Sequence, residues 1–484
     1  MSSRNLLSVI AVLGFSTFFG SAVAQQASSA DYDIVILNGR VIDPETGLDA
    51  IRNIGVRGRK IEMISSEGLR GRSTLDARGL VVSPGFVDLH QHGQNAENDA
   101  VKAADGVTTA LELEVGVADI DAWYAVRAKN ALINFGASIG HIPVRMSVMH
   151  DGGDFLPSGT AAHRAATSEQ LQQIEAGIEK GLKRGAPAVG LGPAYTPGAS
   201  NLEVLKVFES AARHGASVHV HIRGSGEDPE GTFGGFQEVL ADAAATGAAL
   251  HIVHIQSTSG PNVIHEFNMI RGARARGLDV TTEAYPYDHG ATRIESALFD
   301  NKENEPDSYF GSLLWTATGE NLTRESFLRY RKNGGGVILP TTTPELVRAA
   351  ILDPLTLIAS DGRLNEGKGH PRTAGTFARI LAQYVREEAA LPLMDAIRKM
   401  TLMPAQRLER RVPTMRDKGR LRVGADADIT IFDPIAVRDA STYTEPALHS
   451  LGMRYVLVNG VLVVEDGRVR VGVAAGREIR APIE

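Results

Sequence analysis

Four histidines and one aspartate are the residues of this chain whose types and spacing could do chemistry. His90 and His92 lie two residues apart, His221 and His254 follow separately, and Asp361 comes last. Each falls at the end of a run of strand-forming residues. Barrel enzymes collect their functional residues at the carboxyl ends of parallel strands. The spacing therefore predicts one metal-centred pocket and favours hydrolysis by a metal-activated water.

The histidines differ in how well they suit a metal. The first pair shares one face of a strand and can bind a single ion. Two later runs each contain two histidines, and the last of each run, His221 and His254, is the better ligand because it is closer to the strand end. The other interpretation, a core histidine bonded to backbone carbonyls, applies to His219 and His251.

A strand predicted at 107–114 carries two glutamates, Glu112 and Glu114, on one otherwise apolar face. A buried carboxylate without a partner is costly, so both require a cation or a donor. Glu114 is closer to the carboxyl end and is the preferred ligand, bridging the ions if two are bound. The alternative is a glutamate paired with other side chains, which suits Glu112.

Asp361 follows the strand predicted at 355–360 and precedes a glycine. A carboxylate beside a metal-activated water can take its proton and pass it to a leaving amine. An isolated Asp-Gly pair is more often a turn. The catalytic interpretation of Asp361 therefore depends on its position after the eighth strand.

Residues 84–417 alternate strand-length apolar runs with helical patterns, which predicts an α/β fold of the (β/α)8 TIM-barrel class. One helix is marked by the capping-box pattern of Thr167 and Gln170. Residues 288–345 interrupt the alternation with a polar, irregular stretch, predicted to form a lid over the catalytic face. The eight strands are predicted at 85–90, 107–114, 137–142, 188–192, 217–222, 250–255, 279–283 and 355–360.

The two ends of the chain have a different character. Residues 31–83 and 418–484 contain short β-rich runs separated by turn signals, among them the Asn459-Gly460 pair of a hairpin. They predict one small β-sandwich domain formed by both ends.

Composition limits the function classes. The chain has 484 residues, a net charge of −7 and no cysteine. A mildly acidic protein without basic runs is a poor nucleic-acid binder, and without thiolates only His, Asp and Glu remain as metal ligands.

The N-terminus predicts export. Residues 1–24 combine Arg4, an apolar run at 6–19 and a small-x-small site at 22–24, the pattern of a cleaved signal peptide. The run of about 14 residues is shorter than the roughly 20 that span a membrane. We expect a periplasmic or secreted protein that leaves the membrane after cleavage.

Several motifs together resemble the N-acyl-D-amino-acid deacylase (D-aminoacylase) branch of the amidohydrolase superfamily, over about residues 33–470. Some of them are specific to that branch. They are Pro84 to His92, Gly190 to Gly198, His221-Ile222-Arg223, Tyr285-Pro286-Tyr287, Ser360-Asp361-Gly362 and His370-Pro371-Arg372.

This resemblance implies a zinc enzyme with one or two ions that hydrolyses a small-molecule N-acyl amino acid or a related amide. It implies that Asp361 is both ligand and proton shuttle. It also implies that Tyr195, Tyr285 and Arg372 hold the substrate, with the Arg372 guanidinium binding its carboxylate. The ligands it implies are His90, His92, His221 and His254.

Three positions depart from the family pattern. Glu114 stands where relatives usually have a cysteine ligand, Gln256 replaces a common lysine, and Ala291 replaces a usual serine. The lost charge and hydroxyl argue against an acidic or simple free-carboxylate substrate. A cyclic-amide or dipeptide hydrolase of the same superfamily, similar to hydantoinase, dihydroorotase or isoaspartyl dipeptidase, and a noncatalytic barrel scaffold remain alternatives.

Overall fold

The structure is a computed structural model that describes residues 31–224 and 229–484. The predicted signal peptide at 1–24 lies outside these residues. Within the described part, no helix has the length and apolar character to cross a membrane. The chain begins with β1 (Tyr32–Asp43), β2 (Leu48–Arg57), β3 (Lys60–Ser65), β4 (Gly71–Asp76) and β5 (Val81–Pro84).

The next seven strands form a parallel sheet in which strands that are consecutive in the chain are paired. Their side chains are almost entirely buried, as expected for parallel strands covered on both faces. They are β6 (Phe86–Asp88), β7 (Val107–Val117), β8 (Asn134–Gly140), β9 (Ala188–Leu191), β10 (Ser217–Val220), β11 (Ala249–Ile252) and β12 (Val280–Ala284).

Helices connect these strands and cover the outside of the barrel. The predicted capping box is present, because the Thr167 hydroxyl accepts from the Gln170 N–H while the Gln170 side chain accepts from the Thr167 N–H. The helices are α1 (Ala96–Ala104), α2 (Ile120–Arg127), α3 (His141–Met149), α4 (Thr160–His163), α5 (Ser168–Lys183), α6 (Asn201–Arg213), α7 (Pro229–Thr246), α8 (Ile255–Thr258) and α9 (Val263–Ala275).

An ordered insertion follows β12. β13 (His289–Arg293), β14 (Leu314–Trp315) and β15 (Gly336–Pro340) form an antiparallel sheet, accompanied by α10 (Asp307–Ser312) and α11 (Arg324–Asn333). The polar, irregular sequence of 288–345 therefore forms ordered elements. The insertion has its own core, which includes Phe299, Phe310 and Phe327. Its strands are short and far apart in sequence, so no local periodicity indicates them.

After α12 (Pro344–Leu352), β16 (Thr356–Ile358) pairs with β12 as the eighth parallel strand in the described chain. The barrel closes where the backbone N–H groups of His92 and Gly93 donate to the Gly362 carbonyl. The hairpin of β17 (Leu364–Asn365) and β18 (Lys368–Gly369) follows. α13 (Arg372–Arg379), a π-helix (Ile380–Glu387), α14 (Leu393–Met400) and α15 (Leu402–Leu408) complete the barrel.

The chain ends with β19 (Ile429–Phe432), β20 (Met453–Val458), β21 (Val461–Glu465) and β22 (Arg468–Val469). β19 pairs with β5, so strands from both ends join in one sheet of nine strands in the described chain. Side chains from most of these strands meet in one cluster, which includes Ile36, Ile54 and Leu457. The predicted fold class, a TIM barrel with a small β domain built from both ends, is confirmed, and each predicted barrel strand overlaps an observed one.

Candidate active site

Six predicted side chains meet at the carboxyl ends of the barrel strands. One oxygen or nitrogen atom from each of His90, His92, Glu114 and Asp361 forms a group whose members lie within 4.8 Å of one another. A second group, with the same limit, consists of Glu114, His221 and His254. Glu114 belongs to both groups.

The Glu114 carboxylate lies between the two groups, with one oxygen facing each. Its Oε2 is 3.1 Å from Nε2 of His90 and 3.1 Å from Nε2 of His92. Its Oε1 is 2.7 Å from Nδ1 of His221 and 3.3 Å from Nε2 of His254. This is the position of a carboxylate that bridges two ions. Glu112 belongs to neither group.

Two of these residues adopt left-handed backbone conformations directly beyond their strands. His254 has φ of 30° and Asp361 has φ of 52°. An L-residue in this region costs about 1–2 kcal/mol. Such strain persists where surrounding contacts enforce it, and it clusters at functional sites.

Carboxylates behind the first two histidines orient their rings. Nδ1 of His92 is 2.7 Å from Oε2 of Glu112, and Nδ1 of His90 is 2.6 Å from Oε1 of Glu283. A metal-binding histidine commonly donates its other N–H to a carboxylate, which directs the free nitrogen to the ion. Glu283 was not predicted as a site residue from the sequence. The signal was available, since it is a carboxylate on the predicted barrel strand that corresponds to β12, which is largely buried, as Glu112 is on β7.

The two core histidines are also part of this arrangement. Nε2 of His251 is 2.9 Å from Oε2 of Glu283, and its Nδ1 is 2.8 Å from the Thr281 hydroxyl. Nε2 of His219 is 3.1 Å from the Ser217 hydroxyl. The prediction that they bond to backbone carbonyls is wrong, because parallel strands use their carbonyls in the sheet and leave polar neighbouring side chains as partners.

The carboxylates of the first group and Glu283 favour positive charge among the ligand atoms. Burial disfavours charge on His90, but Asp361, Glu114 and Glu283 together raise its pKa well above the ordinary value. Burial likewise opposes the charge on Glu114, yet the surrounding histidines lower its pKa well below the usual range. Burial and His254 lower the pKa of His221, which keeps that ring neutral and able to act as a ligand.

Asp361 connects the first group to Arg372. Its Oδ1 is 3.2 Å from Nε2 of His92, and its Oδ2 is 2.9 Å from Nη1 of Arg372. Burial raises the pKa of Asp361, but Arg372 and His90 outweigh burial and lower it, so the carboxylate form is favoured. The preceding Ser360 donates through N–H and Oγ to Asp88 of β6, which fixes the position of Asp361 at the barrel seam.

The predicted substrate-binding residues surround Asp361. The Arg372 guanidinium lies 4.5 Å from the ring centre of Tyr285 and donates to the Ala291 carbonyl at 3.2 Å. The Tyr195 ring packs against His221 with 4.7 Å between ring centres. Burial raises the pKa of both tyrosines, so each phenol keeps its proton and can donate a hydrogen bond.

One departure from the family pattern can be located directly. The Gln256 side chain is buried and donates to the backbone carbonyl of Tyr285 at 3.2 Å. It supports the position of Tyr285 in place of supplying a charge. Ala291 contributes its backbone carbonyl to Arg372, as described above.

Two cavities meet at this centre. The larger, of about 500 Å³, is lined by Arg372 and by Trp315 and Gly335 of the insertion, among others. The smaller, of about 200 Å³, is lined by His221, His254 and apolar insertion residues. Both include Asp361 and Tyr195, so the insertion covers a two-lobed cavity with the candidate centre at its junction.

The donor set fits zinc. With the Nδ1 atoms of His90 and His92 directed at carboxylates, their Nε2 atoms converge, 3.1 Å apart, beside carboxylate oxygens. Lone pairs at these distances repel one another unless a cation lies among them. Imidazole nitrogen and carboxylate oxygen are both zinc ligands, and four such donors make a complete coordination sphere.

Comparisons with known proteins agree with this geometry. Residues 81–463 match the amidohydrolase family. The chain is 30% identical over 475 residues to the N-acyl-D-glutamate deacylase of Alcaligenes xylosoxydans xylosoxydans, covering 89% of this chain and 93% of that relative.

Two solved structures are also similar to this chain over most of its length. The crystal structure of N-acyl-D-glutamate deacylase from Bordetella bronchiseptica, complexed with zinc and a phosphonate mimic of the tetrahedral intermediate, has a TM-score of 0.79 at 26% identity, over 93% of this chain and 100% of that chain. A D-aminoacylase structure described for its binuclear metal centre has a TM-score of 0.78 at 25% identity, with the same coverage.

Proposed function

This chain belongs to the amidohydrolase family, and from that premise we propose that it is a zinc-dependent hydrolase of the amide bond in N-acyl-D-amino acids. One observation carries the proposal. One oxygen of Asp361 faces the candidate zinc ligands, and the other faces Arg372. A substrate carboxylate held by Arg372 would therefore place its amide beside the reactive centre.

Zinc in this site would polarise the amide carbonyl and lower the pKa of a water to about 7. His90, His92 and Asp361 would hold one ion, and His221 and His254 a second. Glu114 would bridge the two.

The chain's own residues position the substrate and move the proton. Asp361, as a carboxylate, accepts a proton from the attacking water and returns it to the leaving amine nitrogen. The protonated phenols of Tyr195 and Tyr285 can donate to oxygens of the substrate. Arg372 binds the substrate carboxylate, since a guanidinium matches a carboxylate in shape and charge. Residues of the insertion line both lobes of the cavity.

The substitution Asp361→Asn tests this assignment. The amide keeps the size of the side chain but does not take the proton, so we expect zinc content to be retained while amine release falls by roughly 100-fold or more. Elemental analysis measures the first and an amine assay the second. Loss of both together would assign Asp361 to metal binding alone, and unchanged turnover would remove it from the mechanism.

Substrate profiling tests the reaction class. The purified protein should release amine from N-acyl-D-amino acids faster than from N-acyl-L-amino acids. Turnover confined to small cyclic amides or dipeptides would contradict the proposal and move the enzyme elsewhere in the family. A zinc-loaded protein without turnover on any of these would favour a scaffold.

We also propose that the protein is exported, with residues 1–24 removed. The support is the sequence pattern of Arg4, the apolar run and the small-x-small site. N-terminal sequencing of protein from the periplasm or medium should begin at Gln25. An intact N-terminus on protein that stays in the cytoplasm would refute the proposal.

A further inference from the structure

Arg363 is a cation in the larger cavity, and no carboxylate of the described residues lies within ion-pair distance of it. It lies two residues after Asp361, and its guanidinium lies 4.7 Å from the ring centre of Phe155. Both residues line the cavity of about 500 Å³. Among residues 31–224 and 229–484, none makes a side-chain hydrogen bond or an ion pair with the Arg363 guanidinium. Within the described part of the chain, the contact with the Phe155 ring helps to position it.

The other arginines of this cavity are already paired. Nη1 of Arg372 is 2.9 Å from Asp361, and Nε of Arg293 is 2.7 Å from Glu295. Arg293 also approaches Asp154 at 3.5 Å, although that carboxylate is largely exposed. Asp154, Glu112 and Glu295 act on Arg363 only at longer range, so no carboxylate occupies its guanidinium donors. Those donors are free to bind an anion that enters the cavity, and hydrogen bonds to charged groups are the stronger ones.

The two lobes indicate which half of a substrate this cation meets. Arg363 and Arg372 line the larger lobe only. The smaller lobe is lined by Leu298, Phe299 and Leu339, which suit an acyl chain. With Arg372 on the α-carboxylate, the side chain of the amino acid extends into the lobe that contains Arg363.

We propose that Arg363 forms a second anion subsite, which selects N-acyl derivatives of acidic D-amino acids such as D-glutamate and D-aspartate. This inference rests on the proposed function and adds the substrate class. It runs against the expectation, drawn from Gln256 and Ala291, of a poor fit to acidic substrates. Arg363, which follows the eighth strand, would supply the positive charge that those positions lack.

A matched pair of substrates and a single variant test the subsite. N-acetyl-D-glutamate and N-acetyl-D-glutamine have nearly the same shape and differ in charge. Arg363→Met keeps an apolar side chain over Phe155 and removes the guanidinium. We expect kcat/KM for the glutamate substrate to fall by about 10- to 100-fold, since a hydrogen bond to a charged group is lost. The value for the glutamine substrate should change by less than about fivefold.

Two further variants separate direct contact from general attraction. Lys368→Met removes the same charge from an exposed position in the same cavity. It should lower kcat/KM for the glutamate substrate by less than about fivefold, as expected for an exposed charge. Arg363→Lys should restore part of the preference. Equal losses in Arg363→Met and Lys368→Met, or equal losses on both substrates, would overturn the subsite.

Product binding supplies a readout that needs no turnover. Calorimetry on the zinc-loaded protein should show tighter binding of D-glutamate than of D-glutamine, with the difference lost in Arg363→Met. If no N-acyl-D-amino acid is hydrolysed but this difference is present, the proposed function fails and the subsite stands. If neutral and acidic substrates are hydrolysed alike by the natural protein, the proposed function stands and the subsite fails.

Discussion

Glu283 offers a direct test of how the site is built, because its contacts with two histidines are visible only in the tertiary structure. Its Oε1 is 2.6 Å from Nδ1 of His90, and its Oε2 is 2.9 Å from Nε2 of His251. Burial raises the pKa of Glu283, but the two histidines outweigh burial and lower it to about 2. Glu283 is therefore a carboxylate that accepts from one ring on each oxygen.

The substitution Glu283→Gln should weaken zinc binding through His90. The amide has one acceptor oxygen in place of two and no charge, so one of the two contacts is lost or reversed. A hydrogen bond to a charged group contributes roughly 1.5–3 kcal/mol. Outer partners of ligand histidines commonly change metal affinity by roughly 10- to 100-fold, which is the same range of free energy. We expect the zinc Kd to rise by that factor.

Competition with a zinc chelator near neutral pH measures this change, and circular dichroism checks that the fold is retained. Glu266→Gln is the matched control, since Glu266 is also fully buried but bonds to Ser259, away from the histidines. An affinity for zinc within about threefold of the natural protein would refute the role of Glu283. An equal loss in Glu266→Gln would show that any buried glutamate has the same effect.

Two other outcomes follow from the packing and charges. In Gly190→Ala the added Cβ would lie 2.3 Å from the Glu114 carbonyl oxygen. We therefore expect the free energy of unfolding to fall by about 1–3 kcal/mol and the zinc content to decrease. Gly152→Ala is the control, since its Cβ would have no atom within 4 Å, and it should match the natural protein in both measurements. Burial raises the pKa of Glu266 from 4.5 to about 7. Because the folded state then binds more protons than the unfolded state, stability falls by about 3 kcal/mol as pH rises through this interval. In thermal melts, the Tm of Glu266→Gln should therefore rise relative to the Tm of the natural protein between about pH 5 and pH 8. A difference in Tm that stays constant over this range would contradict the prediction.

Local sequence was enough to predict the architecture. Parallel barrel strands are buried on both faces, so each one is a short apolar run, and the helices between them have their own periodicity and caps. A polar residue at the end of such a run is costly without a partner, which is why His90, His221 and Asp361 could be recognised one strand at a time.

The neighbours of each ligand depended on the tertiary structure. The contact between His90 and Glu283 joins residues 193 positions apart, and the closing seam of the barrel sets its distance. The alternating face of β7 indicates that Glu112 and Glu114 point the same way. It does not indicate that one reaches four histidines while the other supports a ring from behind.

The shape of the cavity also depends on contacts between segments that are distant in sequence. The insertion forms a core from short strands that are distant in sequence, and only that arrangement creates two lobes and leaves Arg363 facing one of them. The positions of the strands along the chain and the types of the candidate ligands are properties of local segments, and the sequence alone determined them. The partners, the bridging carboxylate and the shape of the cavity are properties of contacts between segments, and only folding decided them.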